Sequence, residues 1–322
     1  MMETQEIKLK DLDPRAFIMV QVECIRAAVG GGTAVVALSG GVDSSVVTML
    51  AHRALGSRLT AYFIENGIMR AGEPQTIVAA FKRLGVRVQL VDAKAQFFKA
   101  LKGITDPEAK REAITQTFYK TVFGPLVKKS GAKHLLQGTI YTDVEETMAG
   151  IKRQHNVLAQ LGIDTKKVYG YQVLEPVIEL RKTGVRAVGK ALGLPRAIYH
   201  RPPFPGPALA ARVIGEVTPE RIATVRAATA IVEDELRRSG AFQCLAILHE
   251  DRVTGIRRGK REFGHQIEVR CWESTDAVTA TPTPLTWPKL QKLAQRLTAE
   301  VDGVVSVTYN IASKPPSTIE AV

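Results

Sequence analysis

The residues Ser39-Gly40-Gly41-Val42-Asp43-Ser44-Ser45 carry the strongest chemical signal in the sequence. They interrupt an apolar run, TAVVAL at 33–38, and lead into a second one with helical spacing. Glycines at 40 and 41 let backbone N–H groups approach an anion closely. A helix start adds partial positive charge, and Ser39, Ser44 and Ser45 supply hydroxyl donors. That is the chemistry of a phosphate cradle. No Gly-Lys-Ser/Thr triplet follows, so the loop has no lysine of its own to grip terminal phosphates. Asp43 stands inside the cradle instead, and a carboxylate beside phosphates implies Mg²⁺ between them.

A cradle of this kind needs a strand to aim it and a helix to close it. TAVVAL (33–38), LTAYFI (59–64), VRVQLVD (86–92) and AKHLLQG (132–138) are short, rich in Val, Leu and Ile, and end in small or polar residues, as strands do. Between them VDSSVVTMLAHRAL, EPQTIVAAFKRLG and the span from about Pro107 to Lys129 have the three-to-four residue apolar spacing of amphipathic helices. Strand alternating with helix predicts an α/β fold, a parallel sheet with helices on both faces. Ligands of such sheets bind at the carboxyl ends of the strands, where the loop lies.

After about residue 195 the pattern changes. RPPFPGPAL (201–209) holds four prolines and a glycine, which no interior helix or central strand tolerates, so it reads as a rigid connector. Thr218-Pro219-Glu220 has the form of an N-cap, a proline at the first helical position and a first-turn acid, opening a helix to about Ser239. Strands are predicted at FQCLAIL (242–248), QIEVRCW (266–272) and VVSVTYNI (304–311), with a helix at PKLQKLAQRLTAEV (288–301). Without strand–helix regularity, this half predicts a small α+β domain with an antiparallel sheet.

The 322 residues are 45% hydrophobic, enough for two domains with cores of ordinary size. No stretch has the roughly 18 uncharged apolar residues of a membrane span. The start, MMETQEIKLKDLD, is too charged for a signal peptide, which predicts a cytoplasmic protein. Cys24, Cys244 and Cys271 are far apart and form no CxxC pair, predicting neither a disulfide framework nor a zinc site. The net charge of +12 suits small polyanions, membrane surfaces or nucleic acid and does not choose between them. The positives are spread in small clusters such as Lys166-Lys167, Arg237-Arg238 and Arg257-Arg258, with no single basic arm, and nucleic acid is not the expected partner.

The loop resembles the SGGxDS signature of the N-type ATP pyrophosphatases, which cleave ATP between the α- and β-phosphates and activate a substrate as an adenylate. QGTIYTDVEE (137–146), IKRQHNV (151–157), RPPFPGPALAARVIGEVT (201–218) and SKPPSTIE (313–320) are similar, in order, to motifs of the ATP pyrophosphatase half of GMP synthetases. The resemblance runs from about residue 15 to residue 320 and implies an adenine nucleotide alpha hydrolase-like domain over 1–200 with a lid at about 148–170. A connector at 201–215 and an α+β dimerisation domain over 216–322 with a substrate-binding tail would follow.

In that family, XMP O2 attacks the α-phosphorus of ATP and ammonia then displaces AMP to give GMP. The resemblance implies that Ser39 to Ser45, Val42 included, with Gly138 and Thr139, bind ATP, and that Asp43 and Asp143 share Mg²⁺. Lys152 and His155 would act from the lid. Arg201, Gly206 and Arg212 of the connector, with Lys314, Thr318, Ile319 and Glu320 of the tail, would bind XMP. With the phosphate loop beginning at residue 39, no room precedes it for the family's glutaminase domain. A separate glutaminase subunit, or free ammonium, is therefore implied, together with a homodimer.

The chain also departs from the family pattern. Glu65-Asn66-Gly67-Ile68 replaces Asp-His-Gly-Leu, and His155-Asn156-Val157-Leu158-Ala159 replaces a lid motif ending in two glycines. Ala208 follows Gly206-Pro207 where the family has glycine. Residues 275–281 and the ending Glu320-Ala321-Val322 differ from the usual blocks. These changes crowd the regions of substrate choice and leave three alternatives: a relative that adenylates another purine or an amide-forming substrate, a weakly catalytic nucleotide-binding partner of a glutaminase, and tRNA thiolation.

Overall fold

The computed structural model describes residues 5–148, 171–201, 204–275 and 277–321. In chain order its helices are α1 (Pro14–Val29), α2 (Val42–Leu55), α3 (Glu73–Arg83), α4 (Lys94–Leu101), α5 (Pro107–Gln116), α6 (Gly124–Ser130), α7 (Tyr141–Met148), α8 (Lys182–Ala191), α9 (Arg196–Tyr199), α10 (Pro219–Glu235) and α11 (Trp287–Glu300). The chain forms two compact units. The first comprises Met1–Glu65, Glu73–Ala93 and Phe118–Arg201, and the second Asn66–Gly72, Lys94–Thr117 and Pro202–Val322.

The first unit is built on a parallel sheet of β1 (Ala34–Ala37), β2 (Leu59–Glu65), β3 (Val88–Asp92), β4 (His134–Leu136) and β5 (Gln172–Leu174), in the order β3-β2-β1-β4-β5. Ala34 pairs with Leu59 on one side and His134 on the other, so β1 is central. Its Ala34, Val35 and Val36 are buried, as an unbroken apolar run in a sheet covered on both faces requires. α2 follows β1 directly and is buried nearly all round. Val46, Val47 and Leu50 have no exposure, each stabilising the unit by about 1.5–3 kcal/mol. The chain runs from β1 to β2 on one side and returns to β4 on the other. The crevice at the carboxyl ends of β1 and β4 is therefore the topological switch point.

The span from Pro107 is not one α-helix. α5 gives way to a π-helical turn at Thr117–Phe123 before α6, a feature frequent at functional sites. β5 has no counterpart among the predicted strands: three residues, Gln172 to Leu174, are too few to show a period.

In the second unit β6 (Gln243–Arg257) and β7 (Lys260–Glu273) form a long antiparallel hairpin. β8 (Thr281–Pro282) pairs antiparallel with β7, but β9 (Val304–Tyr309) pairs with β7 in parallel. The sheet is thus mixed rather than antiparallel, because β9 returns through α11, a crossover that reverses the direction a hairpin would give. Thr218 caps α10 as predicted, accepting from Arg221 N at 3.3 Å, and α10 ends at Glu235, short of Ser239.

Two segments from the first 200 residues are tied into this unit. Leu209 N donates to Ile68 O at 2.9 Å, Arg226 Nε to Met69 O at 2.8 Å, and Lys110 Nζ to Val213 O at 2.8 Å. The cysteine expectation is corrected: Cys244 and Cys271 are joined by a disulfide. Residues 27 apart in sequence become opposite partners in the β6–β7 register, a pairing that spacing alone does not reveal. Cys24 is free and exposed. Among the described residues no helix is long and apolar enough to cross a membrane.

Candidate active site

The loop between β1 and α2 closes on itself through its hydroxyls. Ser44 Oγ donates to Gly41 O at 3.2 Å and lies 3.0 Å from Ser39 Oγ, and it accepts from Ser39 N at 3.2 Å. Gly41 is the N-cap of α2 with no side-chain cap, which leaves the helix's positive end open toward the loop. Gly40 has φ +79°, a left-handed conformation that favours glycine, and a Cβ there would lie 3.2 Å from Ile77 and 3.3 Å from Arg201.

Asp43 points its Oδ2 at Lys182 Nζ, 2.5 Å away, from the first turn of α8. Its other oxygen, Oδ1, is buried without a hydrogen-bond partner, as is Ser45 Oγ. A buried acceptor left open in this way costs about 1–3 kcal/mol and is suited to a ligand that satisfies it. The end of β4 packs tightly on the same loop: a Cβ at Gly138 would lie 3.0 Å from Ser44 N and 3.1 Å from Asp43 C. Thr139 is buried and donates to Glu175 Oε1 at 2.5 Å. Asp143 accepts from Ile140 N at 2.9 Å, while Asp143 N donates to Ile140 O at 3.0 Å, a reciprocal cap at the start of α7. Among the described residues, no group of three or more His, Cys, Asp or Glu side chains gathers as a metal cage.

Beside the loop lies a cavity of about 130 Å³ whose lining includes Ser39, Asp43, Gly138 and the aromatics Phe118, Tyr119 and Phe123. The π-helical turn presents all three rings. Phe118 and Phe123 stack with centroids 5.6 Å apart. Burial, with a smaller contribution from Tyr171, pushes the Tyr119 phenol up, so it remains a neutral hydrogen-bonding group, and Gln137 is its side-chain partner. Arg201 reaches the loop as well, donating to Gly40 O at 3.2 Å and pairing with Glu73 at 2.6 Å. Its guanidinium thus rests against the loop of the first unit.

The tail residues gather in the second unit. Arg212, with no exposure, forks onto Glu320 at 3.2 and 3.4 Å, and Gln243 Nε2 donates to the same carboxylate at 3.2 Å. Arg212 Nη1 is buried without a partner, and the guanidinium lies over the Phe204 ring at 5.0 Å. Lys314 Nζ donates to Ala277 O at 2.6 Å, and Thr318 Oγ1 to Glu320 O at 2.5 Å. Ile319 is buried among Leu245, Ile247, Trp272 and Ala280, so its side chain anchors the tail and is not available to a ligand. Gly206 is exposed in the turn before the 3-10 segment Ala208–Arg212.

The family model for NAD synthase matches residues 17–208, and that for the GMP synthase C terminal domain matches residues 230–321. A subunit of the glutamine-hydrolyzing GMP synthase of Archaeoglobus fulgidus is 46% identical over 309 residues, spanning 96% of this chain and 99% of the relative. The corresponding subunit from Methanocella arvoryzae is 47% identical over 310 residues, and that from Pyrococcus horikoshii 46% over 312, with the same coverage of both chains. The chain belongs to this family of GMP synthase subunits.

Three features had no sequence forecast, two in the first unit and one in the second. Lys182 begins a helix 139 residues from Asp43, the three aromatics sit in what reads as an ordinary helix, and Gln243 lies in a strand. Each meets its partners only through tertiary structure. Ala208 stands where the GMP synthase motif usually has glycine, and its φ of +52° shows the backbone demand that a glycine would meet. Lys152 and His155, and the rest of the predicted lid from residue 149 to its end, lie outside the described residues.

Proposed function

We propose that this protein is the synthetase subunit of a GMP synthase: a ligase that adenylates XMP O2 with ATP, releasing pyrophosphate, and then admits ammonia to displace AMP and form the C–N bond of GMP. The observation that carries the reading is the open cradle at the switch point, with Asp43 Oδ1 buried and unpartnered beside an uncapped helix start. Similarity to GMP synthase relatives along nearly the whole chain supports it.

In this reading Ser39 to Ser45 hold the ATP phosphates, with Gly138 and Thr139 closing the far side and the Phe118, Tyr119 and Phe123 cavity receiving the base. Asp43, with Asp143, would hold Mg²⁺. The free Oδ1 of Asp43 fits that role, and the lack of a full protein cage among the described residues fits a cation carried mostly by phosphates and water. Bound there, Mg²⁺ supplies charge neutralisation for the departing pyrophosphate. Lys182 holds the other oxygen of Asp43 and brings fixed positive charge to the cradle. Lys152 and His155 act from the lid. In the second unit Arg212, Gly206 and the tail residues Lys314, Thr318 and Glu320 bind XMP, and Ile319 fixes the tail that carries them; in the first, Arg201 braces the loop through Gly40. Ammonia comes from a separate glutaminase subunit, the second unit forms a homodimer, and the protein works in the cytoplasm.

The test is to incubate purified protein with MgATP and ammonium, with and without XMP, and follow AMP and GMP. XMP-dependent AMP release matched one-for-one by GMP is expected. ATP binding without XMP-dependent turnover would overturn the assignment.

A further inference from the structure

The tail bearing Lys314, Thr318 and Glu320 lies across one face of the β6–β7 hairpin. Its apolar hold is Ile319 against Leu245, Ile247 and Trp272. Its backbone around Ile319 is held by the Arg270 side chain. Arg270 Nη1 donates to Thr318 O at 2.8 Å and to Glu320 O at 3.4 Å, gripping the backbone on both sides of Ile319. Arg270 is itself aimed by Glu268: Nε donates to Glu268 Oε1 at 2.7 Å, while the other oxygen, Oε2, lies 2.8 Å from His249 Nε2. Arg270 and Glu268 are two residues apart on β7, so both project from the same face. Leu245 is opposite Arg270 and Ile247 opposite Glu268 in the register, placing the relay in the sheet face that carries the apolar contacts.

The burial is high enough to make this grip matter. Arg270 and Glu268 side chains are each 12% exposed, so the guanidinium has few alternatives to the tail carbonyls. The carboxyl of Glu268 is burdened by burial but held below the usual range by His249 and Arg270, and so stays an anion that fixes the arginine. Thr318 Oγ1 in turn donates to Glu320 O, the same carbonyl that Arg270 holds. The Glu320 carboxylate, meanwhile, faces Arg212 and Gln243.

We propose that Arg270, oriented by Glu268, is a positioning residue for the acceptor: it sets the path of the C-terminal tail and thereby the affinity for XMP, without touching the substrate. The inference rests on the reading that the tail binds XMP. A guanidinium is needed because one nitrogen, Nη1, meets both carbonyls while a second, Nε, is tethered to Glu268; a lysine has the charge but only one nitrogen for all three contacts.

The experiment compares steady-state kinetics of Arg270→Gln, Arg270→Lys, Glu268→Gln and Glu320→Ala in the full chain. Arg270→Gln is expected to raise the KM for XMP about tenfold or more, with the KM for ATP within about twofold and kcat little changed. Arg270→Lys should recover part of the loss, and Glu268→Gln should show a smaller rise of the same kind. An XMP KM unmoved in Arg270→Gln but raised in Glu320→Ala overturns the positioning role and spares the tail reading. An XMP KM unmoved in both overturns the tail reading as well. Loss of kcat and of ATP affinity together with XMP affinity marks a general structural role and also overturns the proposal. If Arg270→Gln does not fold, Glu268→Gln decides alone: its XMP-specific rise supports the relay and an unchanged KM refutes it.

Discussion

Lys110 is 1% exposed, and its ammonium donates to Val213 O at 2.8 Å. Burial pushes its pKa down from 10.5 to about 8. The charge of Arg221 pushes the same way, and Glu250 and Asp106 pull against them. Above pH 10.5 neither the folded nor the unfolded chain binds this proton. As pH falls from there to about 8 the unfolded chain takes it up and the fold does not, so stability declines across that window and levels off below it. A shift of this size corresponds to about 3 kcal/mol in all, of which roughly 1 kcal/mol is recovered on going from pH 7 to pH 9. Lys110→Met abolishes the proton linkage, and leaving Val213 O without its donor costs about 1–3 kcal/mol at every pH. Urea unfolding followed by tryptophan fluorescence suits the question. Both tryptophans, Trp272 and Trp287, are in the unit that contains Lys110, and Trp272 is fully buried. The stability of the natural chain, measured against that of Lys110→Met, should rise by about 1 kcal/mol between pH 7 and pH 9. Parallel profiles for the two proteins would refute the reasoning.

At Gly138 an added methyl meets backbone atoms of Ser44 and Asp43 at 3.0 and 3.1 Å, which cannot swing aside. Gly138→Ala should weaken MgATP binding about tenfold or more in calorimetric titration, with a stability loss of about 1–3 kcal/mol; an unchanged affinity would contradict the close packing of β4 on the loop. Lys182→Met leaves Asp43 without its cationic partner and should lower kcat for XMP-dependent AMP release about a hundredfold, checked by quenched turnover assays. Alkylation of denatured, unreduced protein should label one thiol, Cys24, and label three after reduction, as peptide mass mapping would show.

The phosphate loop was legible because everything that defines it is local: two glycines, three serines and an aspartate between a buried strand and a helix. The first four strands were legible because an apolar run in a covered parallel sheet needs no partner to declare itself. What failed to show depends on register and return. Lys182 looks like any exposed lysine until the chain folds back to Asp43. Phe118, Tyr119 and Phe123 share a face only because the π-helical turn alters the residue spacing. Cys244 and Cys271 are opposite only after the hairpin is zipped. Nothing local in SKPPSTIE shows that Ile319 enters a core cluster. Direction was lost too, since nothing in VVSVTYNI says whether its partner runs with it or against it.

That Asn66–Gly72 and Lys94–Thr117 belong to the second unit has a consequence for how the protein is made. Both segments leave the ribosome long before the C-terminal residues to which they are bonded, Val213 and Arg226 among them. At translation speeds of about 5–20 residues per second, they wait on the order of ten seconds or more for their partners. The second unit therefore completes only after the residues beyond 201 have been made, and cutting the gene at residue 201 would give two fragments that each lack or strand part of the other's structure. Recombination that exchanged the C-terminal half between relatives would succeed only by carrying the two early segments with it.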